Sequence, residues 1–482
     1  MELEDFDFWD SDGYLTGKDV SDEQRNTLYN LLNKDYGATD VLESFPFLII
    51  GCSGGPPDKK KRPFSVAGAI AIWRDAEHFD FRPIVGDLGQ GDPIEVDNSI
   101  LDQIKPLEVP SNEVILHLAN HWPESQAISM LWTTLVVELP LVNQKAHRDR
   151  LRNLPSGIEC CFLNLTFNNG PLPNSERNRT REIKPDPTTY GQEICDETDY
   201  VAMDGKFYPG TMIGSVDEEG ELCSVVTAGI LIEKGDEQRL TCSFHCWEDQ
   251  HKKHPNQFGN SDDTAMETFK VLQGNNPGST VGYVKERMGQ TDIALAKLHD
   301  DGVVFENKFM EIEAAPKKFL ASADHNFGDR FIFDSFAVGK QTVSCLGRRF
   351  TLGWKQETTH PDVKYIALDQ GAFVSDSPEI TTEPQIRDSV CGSVLLRCLN
   401  QSLGNKHHRT QKMTIEDGEI GGMLHWVDIQ SNRSDKIENF IMYADSFDPL
   451  IEAGWTIVQE TNEDSHSDGE ASEQSPRKRQ RT

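Results

Sequence analysis

The chain has 482 residues, which is more than a single hydrophobic core serves, so its length predicts two or three domains. Its formal net charge of −32 disfavours binding to nucleic-acid phosphates and to anionic membrane surfaces. The acidic start MELEDFDFWD has no apolar core of signal-peptide length, and the longest apolar stretch, AISMLWTTLVV, is too short to span a bilayer. We therefore expect a nuclear or cytoplasmic protein that is not secreted and whose ten cysteines are reduced thiols.

The first predicted element is a helix in SDEQRNTLYNLLNK, with Ser21 as N-cap and with Leu28, Leu31 and Leu32 on one face. Two apolar runs, SFPFLII and FSVAGAIAIW, predict strands, and the Gly- and Pro-rich GCSGGPP between them predicts a hairpin loop. AISMLWTTLVV predicts a buried strand or helix. Together these patterns predict an α+β domain of unknown role in residues 1–190.

A polar, Pro-rich stretch between residues 168 and 198 predicts a linker. Residues 200–456 then contain many short β-rich runs, which predict an all-β barrel or sandwich closed by a terminal helix in SFDPLIEAGW. Residues 457–482 are poor in apolar side chains and predict a disordered acidic tail.

Three segments of the β-rich region carry reactive side chains: LTCSFHCW with His245, TDIALAKL with Asp292, and DSVCGSVLL with Cys391. They resemble, in turn, the LTAAHCW, NDIALLKL and GDSGGPL segments of the trypsin-like (chymotrypsin-fold) peptidases. His245 and Asp292 are separated by 47 positions, and Asp292 and Cys391 by 99, which fits one site shared by two successive barrels. The resemblance covers about residues 207–455 and implies a double β-barrel.

The loop GCSGGPP also resembles the nucleophile loop of this family, with Ser53 at the serine position. In the family the histidine and the aspartate precede the nucleophile. Residues 1–52 contain no histidine, and the first one is His78. Ser53 therefore cannot complete a triad in that order.

A Cys–His–Asp triad is chemically sound. A free thiol has a pKa of about 8.5 and is drawn to the nucleophilic thiolate beside an imidazolium. The resemblance implies Cys391 as nucleophile, His245 as general base and acid, and Asp292 as the carboxylate that orients the imidazole. It also implies an oxyanion hole made by the backbone N–H groups of Ser389 and Cys391.

The sequence departs from the family beside the nucleophile. Val390 replaces an aspartate that receives the new N-terminus after activation, and Ser389 replaces a glycine of the oxyanion loop. These departures leave an alternative open, in which the domain is an inactive pseudopeptidase that acts as a nuclear protein-binding module.

The substrate pocket is implied by two further matches. GGMLHWVD resembles the strand that ends in SWG, which implies His425 and Trp426 as substrate-binding residues. The position six residues before the nucleophile is Gln385, and the lack of an aspartate there argues against a preference for Lys or Arg. We expect a protein or peptide substrate.

A zinc site is the alternative use of the cysteines near His245. Cys242, His245 and Cys246 lie close in sequence to Cys223, but no second Cys/His pair has matching spacing. On the strand predicted here, residues 242, 244 and 246 share one face and residue 245 lies on the other. We therefore predict neither a metal nor a cofactor.

The basic cluster PRKRQR at residues 476–481 ends the acidic tail and predicts an address read by a nuclear import receptor. The whole pattern favours an intracellular cysteine endopeptidase of chymotrypsin-like fold that forms an acyl-enzyme.

Overall fold

The computed structural model is mostly β with few helices. The predicted linker from residue 169 onwards, residues 460–482 of the predicted tail with its basic cluster, Gln385 and Ser389 lie outside the residues that it describes. The predicted disorder is wrong at its first residue, because Ile457 lies in a strand and pairs with Ile232. The described residues are 3, 6–8, 17, 19–44, 47–55, 57, 61, 63, 65–76, 87–89, 91–92, 94, 100–105, 108–132, 134–140, 144–158, 161–168, 206–216, 222–248, 270–273, 280–299, 304–355, 363–375, 390–400, 413–414, 418–431 and 437–459.

Helix α1 covers Asp22–Tyr36 and begins with a capping box. Its N-cap Ser21 accepts a hydrogen bond from the backbone N–H of Gln24, whose side chain accepts one from the backbone N–H of Ser21. Leu28 and Leu32 are buried in one core with the strands that follow. The predicted helix and its cap are confirmed.

The next four strands form one sheet, in which the predicted strands are confirmed and the predicted hairpin is wrong. The second strand pairs with the fourth in parallel, with Leu48 opposite Ala71. The tight antiparallel turn instead joins the third and fourth strands through Ala67 and Gly68, whose φ angles of 51° and 85° suit a two-residue hairpin. The strands are β1 (Ala38–Ser44), β2 (Phe47–Cys52), β3 (Ser65–Val66) and β4 (Ala69–Asp75).

The apolar stretch AISMLWTTLVV forms two buried antiparallel strands, β6 and β7, that turn at Trp132. Helix α2 and helix α3 both contribute to the core that covers these strands. The elements of this part are β5 (Asp87–Leu88), a 3₁₀ helix (Ile100–Gln103), α2 (Asn112–His121), β6 (Ala127–Leu131), β7 (Thr134–Pro140), α3 (Gln144–Asn153), β8 (Gly157–Ile158) and β9 (Cys161–Asn168).

After residue 205 the strand pairings run round a circuit, which we call circuit 1. Starting from β11, they pass through β15, β16, β17, β14 and β13, and residues 228–230 lead from β13 back to β12, which pairs with β11. The strands are β10 (Lys206–Phe207), β11 (Met212–Val216), β12 (Leu222–Thr227), β13 (Leu231–Lys234), β14 (Glu237–Ser243), β15 (Lys270–Gln273), β16 (Thr280–Arg287) and β17 (Ile293–Leu298).

A second circuit, circuit 2, follows in the chain. Its antiparallel pairings pass through β20, β21, β22, β26, β25 and β23 and return to β20. The remaining elements are β18 (Val304–Phe305), β19 (Lys318–Phe319), a 3₁₀ helix (Ser322–Asp324), β20 (Arg330–Phe333), β21 (Gln341–Lys355), β22 (Val363–Ser375), β23 (Val394–Asn400), β24 (Met413–Thr414), β25 (Glu419–Ser431), β26 (Ile437–Asp445), α4 (Asp448–Glu452) and β27 (Thr456–Ile457).

One hydrophobic core joins the two circuits. Ile232 and Leu295 of circuit 1 pack in the same cluster as Ile332 and Met423 of circuit 2. Phe447, next to the confirmed terminal helix α4, is fully buried in this cluster. The two circuits are therefore held face to face, and side chains at their shared edge can meet.

The N-terminal strands continue the sheet of circuit 2. Strand β6 pairs with β21, with Ile128 opposite Phe350, and β7 and β9 extend the sheet beyond β6. One sheet thus contains strands from both sides of the linker predicted between residues 168 and 198. Among the described residues, no helix has the length and apolar character needed to cross a bilayer.

Candidate active site

His245 lies at the point where β14 ends. The backbone changes there to a 3₁₀ helix, Phe244–Trp247, which buries Phe244, Cys246 and Trp247 and leaves the His245 side chain 22% exposed. The predicted alternation of residues 242, 244 and 246 on one strand face is therefore wrong beyond residue 243. The helical turn directs the imidazole away from the core of circuit 1.

Asp292 lies directly before β17, which pairs with β14 and so brings the carboxylate beside His245. One carboxylate oxygen is 2.8 Å from Nδ1 of His245, and the other accepts a hydrogen bond of 2.8 Å from the backbone N–H of His245. The hydroxyl of Ser243 also donates to this carboxylate and lies 2.9 Å from Nδ1 of His245. The carboxylate is thus fixed by three donors in one short segment.

The electrostatics of this pair favour the charged forms. Burial alone would raise the pKa of Asp292, but the neighbouring His245 and His425 and the hydrogen bonds that it accepts hold it well below its usual range. Burial alone would lower the pKa of His245, but the Asp292 carboxylate and the Cys391 sulfur raise it well above its ordinary value. The site is therefore suited to hold an imidazolium.

Cys391 comes from circuit 2, in the turn before β23. Gly392 has a φ of 95°, and a Cβ there would overlap the carbonyl oxygen of Thr227, so the turn requires glycine. The Cys391 sulfur interacts electrostatically with the His245 ring and helps to raise its pKa, and the Cys391 S–H donates to the carbonyl oxygen of His425 at 2.8 Å. The side chain is fully buried.

A second histidine and a second aspartate lie behind the first pair. The rings of His245 and His425 are stacked with centroids 6.3 Å apart, and Nε2 of His425 is 4.0 Å from the Asp292 carboxylate. Nδ1 of His425 is 3.1 Å from the carboxylate of Asp445, which also accepts a hydrogen bond from the backbone N–H of Asp292. Gln370 donates to Asp445 at 2.6 Å.

The structure thus brings together His245, Asp292 and Cys391, which the sequence predicted as a group. Predicted His425 lies beside them but is 7% exposed, and Trp426 is half-buried and stacks on Tyr443 at 4.2 Å. Their predicted contacts with substrate stay a prediction, as does the oxyanion role of Ser389 and Cys391. Sequence reasoning missed Ser243, Gln370 and Asp445, which contact the site directly.

A metal ion could be offered three ligand atoms here, by His245, Asp292 and His425, which all lie within 4.8 Å of one another. This set differs from the cysteine-rich set weighed in the sequence. A metal bound to it would displace the direct hydrogen bond between His245 and Asp292. In the structure, Nδ1 of His245 and the Asp292 carboxylate instead form a direct hydrogen bond.

Comparison with known proteins gives no family assignment. The sequence matches no protein-family model and no curated protein. Among solved structures, a glutamic acid-specific serine protease described as using a histidine triad in substrate binding aligns with 52% of this chain and 100% of its own, at 10% identity and a TM-score of 0.29. Protease A of Thermobifida fusca aligns with 53% of this chain and 100% of its own, at 10% identity and a TM-score of 0.30. Cellulomonas bogoriensis chymotrypsin aligns with 52% of this chain and 98% of its own, at 12% identity and a TM-score of 0.28. TM-scores of this size do not by themselves establish a common fold.

Proposed function

We propose that residues 206–459 form the double β-barrel of the trypsin-like peptidases and act as a cysteine endopeptidase. The two strand circuits support this proposal, because circuit 2 closes through antiparallel pairings, circuit 1 returns to its start through residues 228–230, and the two share one core. The reactive side chains support it as well: His245 and Asp292 come from circuit 1, and Cys391 comes from circuit 2. A peptide bound between the barrels would meet groups from both.

The observation that carries the proposal is the His245 ring, which lies 2.8 Å from the Asp292 carboxylate and whose pKa is raised by that carboxylate and by the Cys391 sulfur. Because Nδ1 is held by Asp292, Nε2 is the nitrogen that takes the thiol proton of Cys391. The sulfur then attacks the peptide carbonyl carbon, and the electron pair of the C=O bond moves to the oxygen. The buried Asp292 carboxylate stabilises the imidazolium formed in this step.

Collapse of this intermediate restores the C=O bond and breaks the C–N bond. The imidazolium of His245 gives its proton to the leaving amine, and a thioester with Cys391 remains. Water, deprotonated by His245, then attacks the thioester carbonyl, which releases the carboxylic acid and returns the proton to sulfur. In this scheme the backbone N–H groups of Ser389 and Cys391 stabilise the oxyanion of both steps.

A second candidate function is favoured by the burial of the nucleophile. The Cys391 side chain has no exposed surface, and its S–H donates to the carbonyl oxygen of His425. A pseudopeptidase that holds a protein partner without cutting it needs no access to this sulfur. The active enzyme needs the substrate to displace the His425 carbonyl contact.

Cleavage of a diverse peptide library by the full chain separates the two functions. We expect cleavage by the wild type, its loss in Cys391→Ala, and its retention in Cys398→Ala, which removes another buried thiol on the adjoining strand β23. Cleavage that survives Cys391→Ala would refute the triad. Peptide binding without cleavage in all three proteins would favour the pseudopeptidase.

A further inference from the structure

A chain of buried polar side chains leads from the candidate active site to the N-terminal strands. It starts at Asp445, which is fully buried and accepts hydrogen bonds from the backbone N–H of Asp292 and from Gln370. Gln370 is also fully buried, and its side-chain oxygen accepts a hydrogen bond of 3.2 Å from Nη1 of Arg349. The first contact joins circuit 2 to circuit 1, and the others join β26 to β22 and β22 to β21 within circuit 2.

Arg349 connects this chain to the N-terminal part of the protein. It lies on β21, is 2% exposed, and its Nη2 donates to the carboxylate of Glu138 on β7 at 2.8 Å. The guanidinium also lies over the rings of Trp426 and Tyr443, at 5.2 and 5.8 Å from their centroids. The planar group is thus held by a carboxylate, an amide oxygen and two aromatic faces.

The Arg349 guanidinium determines which way the Gln370 amide faces. Because Arg349 can only donate, the oxygen of Gln370 must face it, and the NH₂ group then points to Asp445. Asp445 in turn holds the backbone of Asp292. If the amide were reversed, two oxygens would face each other in a buried site, which is strongly unfavourable.

We propose that Glu138 and Arg349 are positioning residues through which the N-terminal strands hold the His245–Asp292 pair in its reactive arrangement. The inference deepens the proposed peptidase function and rests on it for its consequence in catalysis. It gives residues 127–140 a role beyond packing: they supply the carboxylate that anchors Arg349 from outside the two circuits. Neither Glu138 nor Arg349 touches the reacting atoms.

Arg349→Lys tests the link, and Arg348→Lys is the matched control. Lysine keeps the positive charge but lacks the planar fork that reaches two acceptors at once. Arg348 is the neighbouring residue of the same strand, is 8% exposed, and is paired with Asp369 and Ser322 away from the site. Both variants thus remove a buried guanidinium group. Only the guanidinium of Arg349 belongs to the series of hydrogen bonds that reaches Asp292.

The quantity measured is the pKa of His245 in the full-length protein. It is obtained from the pH dependence of hydrogen exchange at the C2 position of the His245 ring, detected by mass-spectrometric peptide mapping. The charged or titratable groups that interact with His245 are Asp292, Cys391, Cys246 and the stacked His425. We expect the pKa of His245 to fall towards its ordinary value in Arg349→Lys and to stay unchanged in Arg348→Lys. Peptide cleavage should fall about tenfold in the first variant alone.

Equal His245 pKa values in the wild type and in Arg349→Lys would overturn the inference, as would an equal fall in both lysine variants. If thermal unfolding shows that Arg349→Lys does not fold, Glu138→Gln decides the matter, because it keeps the shape and an accepting oxygen while it removes the charge. We expect a smaller fall of the same sign there, and an unchanged pKa would overturn the inference.

The exchange readout does not depend on activity. Cleavage that survives Cys391→Ala refutes the triad with Cys391 as nucleophile, whereas an unchanged His245 pKa in Arg349→Lys refutes only the positioning role.

Discussion

Asp292→Asn should weaken the folded protein in a way that depends on pH. The substitution keeps the size of the side chain but removes the charge that faces His245. Since His245 has a raised pKa in the folded state, its stabilising interaction is complete below its unfolded pKa of about 6.5 and is lost as the pH rises through the raised value. Asp292 has a lowered pKa, so its contribution is present above its unfolded pKa and is lost only in strong acid.

The expected magnitude follows from the contacts. Removing one partner of a buried ion pair costs about 3–5 kcal/mol, and the 22% exposure of the His245 side chain favours the lower end of that range. We expect the free energy of unfolding to fall by about 3 kcal/mol at pH 6. Above the raised pKa of His245 the Asp292 carboxylate faces a neutral imidazole, so only the hydrogen bonds to the charged carboxylate distinguish the two proteins, and the difference should shrink to about 1.5 kcal/mol.

Urea unfolding of both proteins between pH 6 and pH 10, followed by tryptophan fluorescence, measures this difference. Trp247 is fully buried two residues from His245 and reports on the region. Asp369→Asn is the control, because Asp369 pairs with Arg348, which keeps its charge over this range. If Asp292→Asn changes the free energy of unfolding by an amount that is as independent of pH as in the control, the electrostatic coupling between Asp292 and His245 is refuted.

Three further predictions concern the same region. Gly392→Ala should lower the free energy of unfolding by about 3 kcal/mol or more, because both the positive φ of Gly392 and its contact with the backbone oppose a side chain. In the control Gly235→Ala the new Cβ meets nothing within 4 Å, so the cost should be about 1 kcal/mol. Chemical denaturation of both variants tests this contrast. Ser243→Ala removes one donor to the buried Asp292 carboxylate and should reduce peptide cleavage about five- to tenfold and the free energy of unfolding by about 1.5 kcal/mol, as parallel kinetic and urea-unfolding measurements would show. Burial raises the pKa of Cys345 to about 12, so iodoacetamide at pH 8 should leave this thiol unmodified in the folded protein and modify it in urea, which peptide mapping detects.

The resemblance to peptidase segments implied His245, Asp292 and Cys391 because each lies in a short segment that can be matched by itself. The apolar residues of IALAKL and LTCS predict the strands next to Asp292 and His245, and the resemblance supplies the roles of the two side chains. Gln370 and Asp445 could not be found this way. Each lies in a long strand with no local signal, and only the pairing of β22 with β26 brings them together.

The same reasoning explains the errors in the fold. Helix α1 was predictable because its cap and its buried face are encoded within fifteen residues. The parallel pairing of β2 with β4 was not, because the residues between them suited a direct hairpin as well as a longer return. The pairing of β6 with β21 joins segments more than 200 residues apart, and no pattern within either segment specifies the other.

The most direct test of the triad is capture of its covalent intermediate. The full-length protein is mixed with an activated peptide ester, quenched in acid and examined by intact mass and peptide mapping. We expect one acyl group on Cys391 that hydroxylamine removes, no such group in Cys391→Ala, and a much slower appearance in His245→Ala. An acyl group that forms equally fast without His245, or that is carried by another residue, would contradict the account.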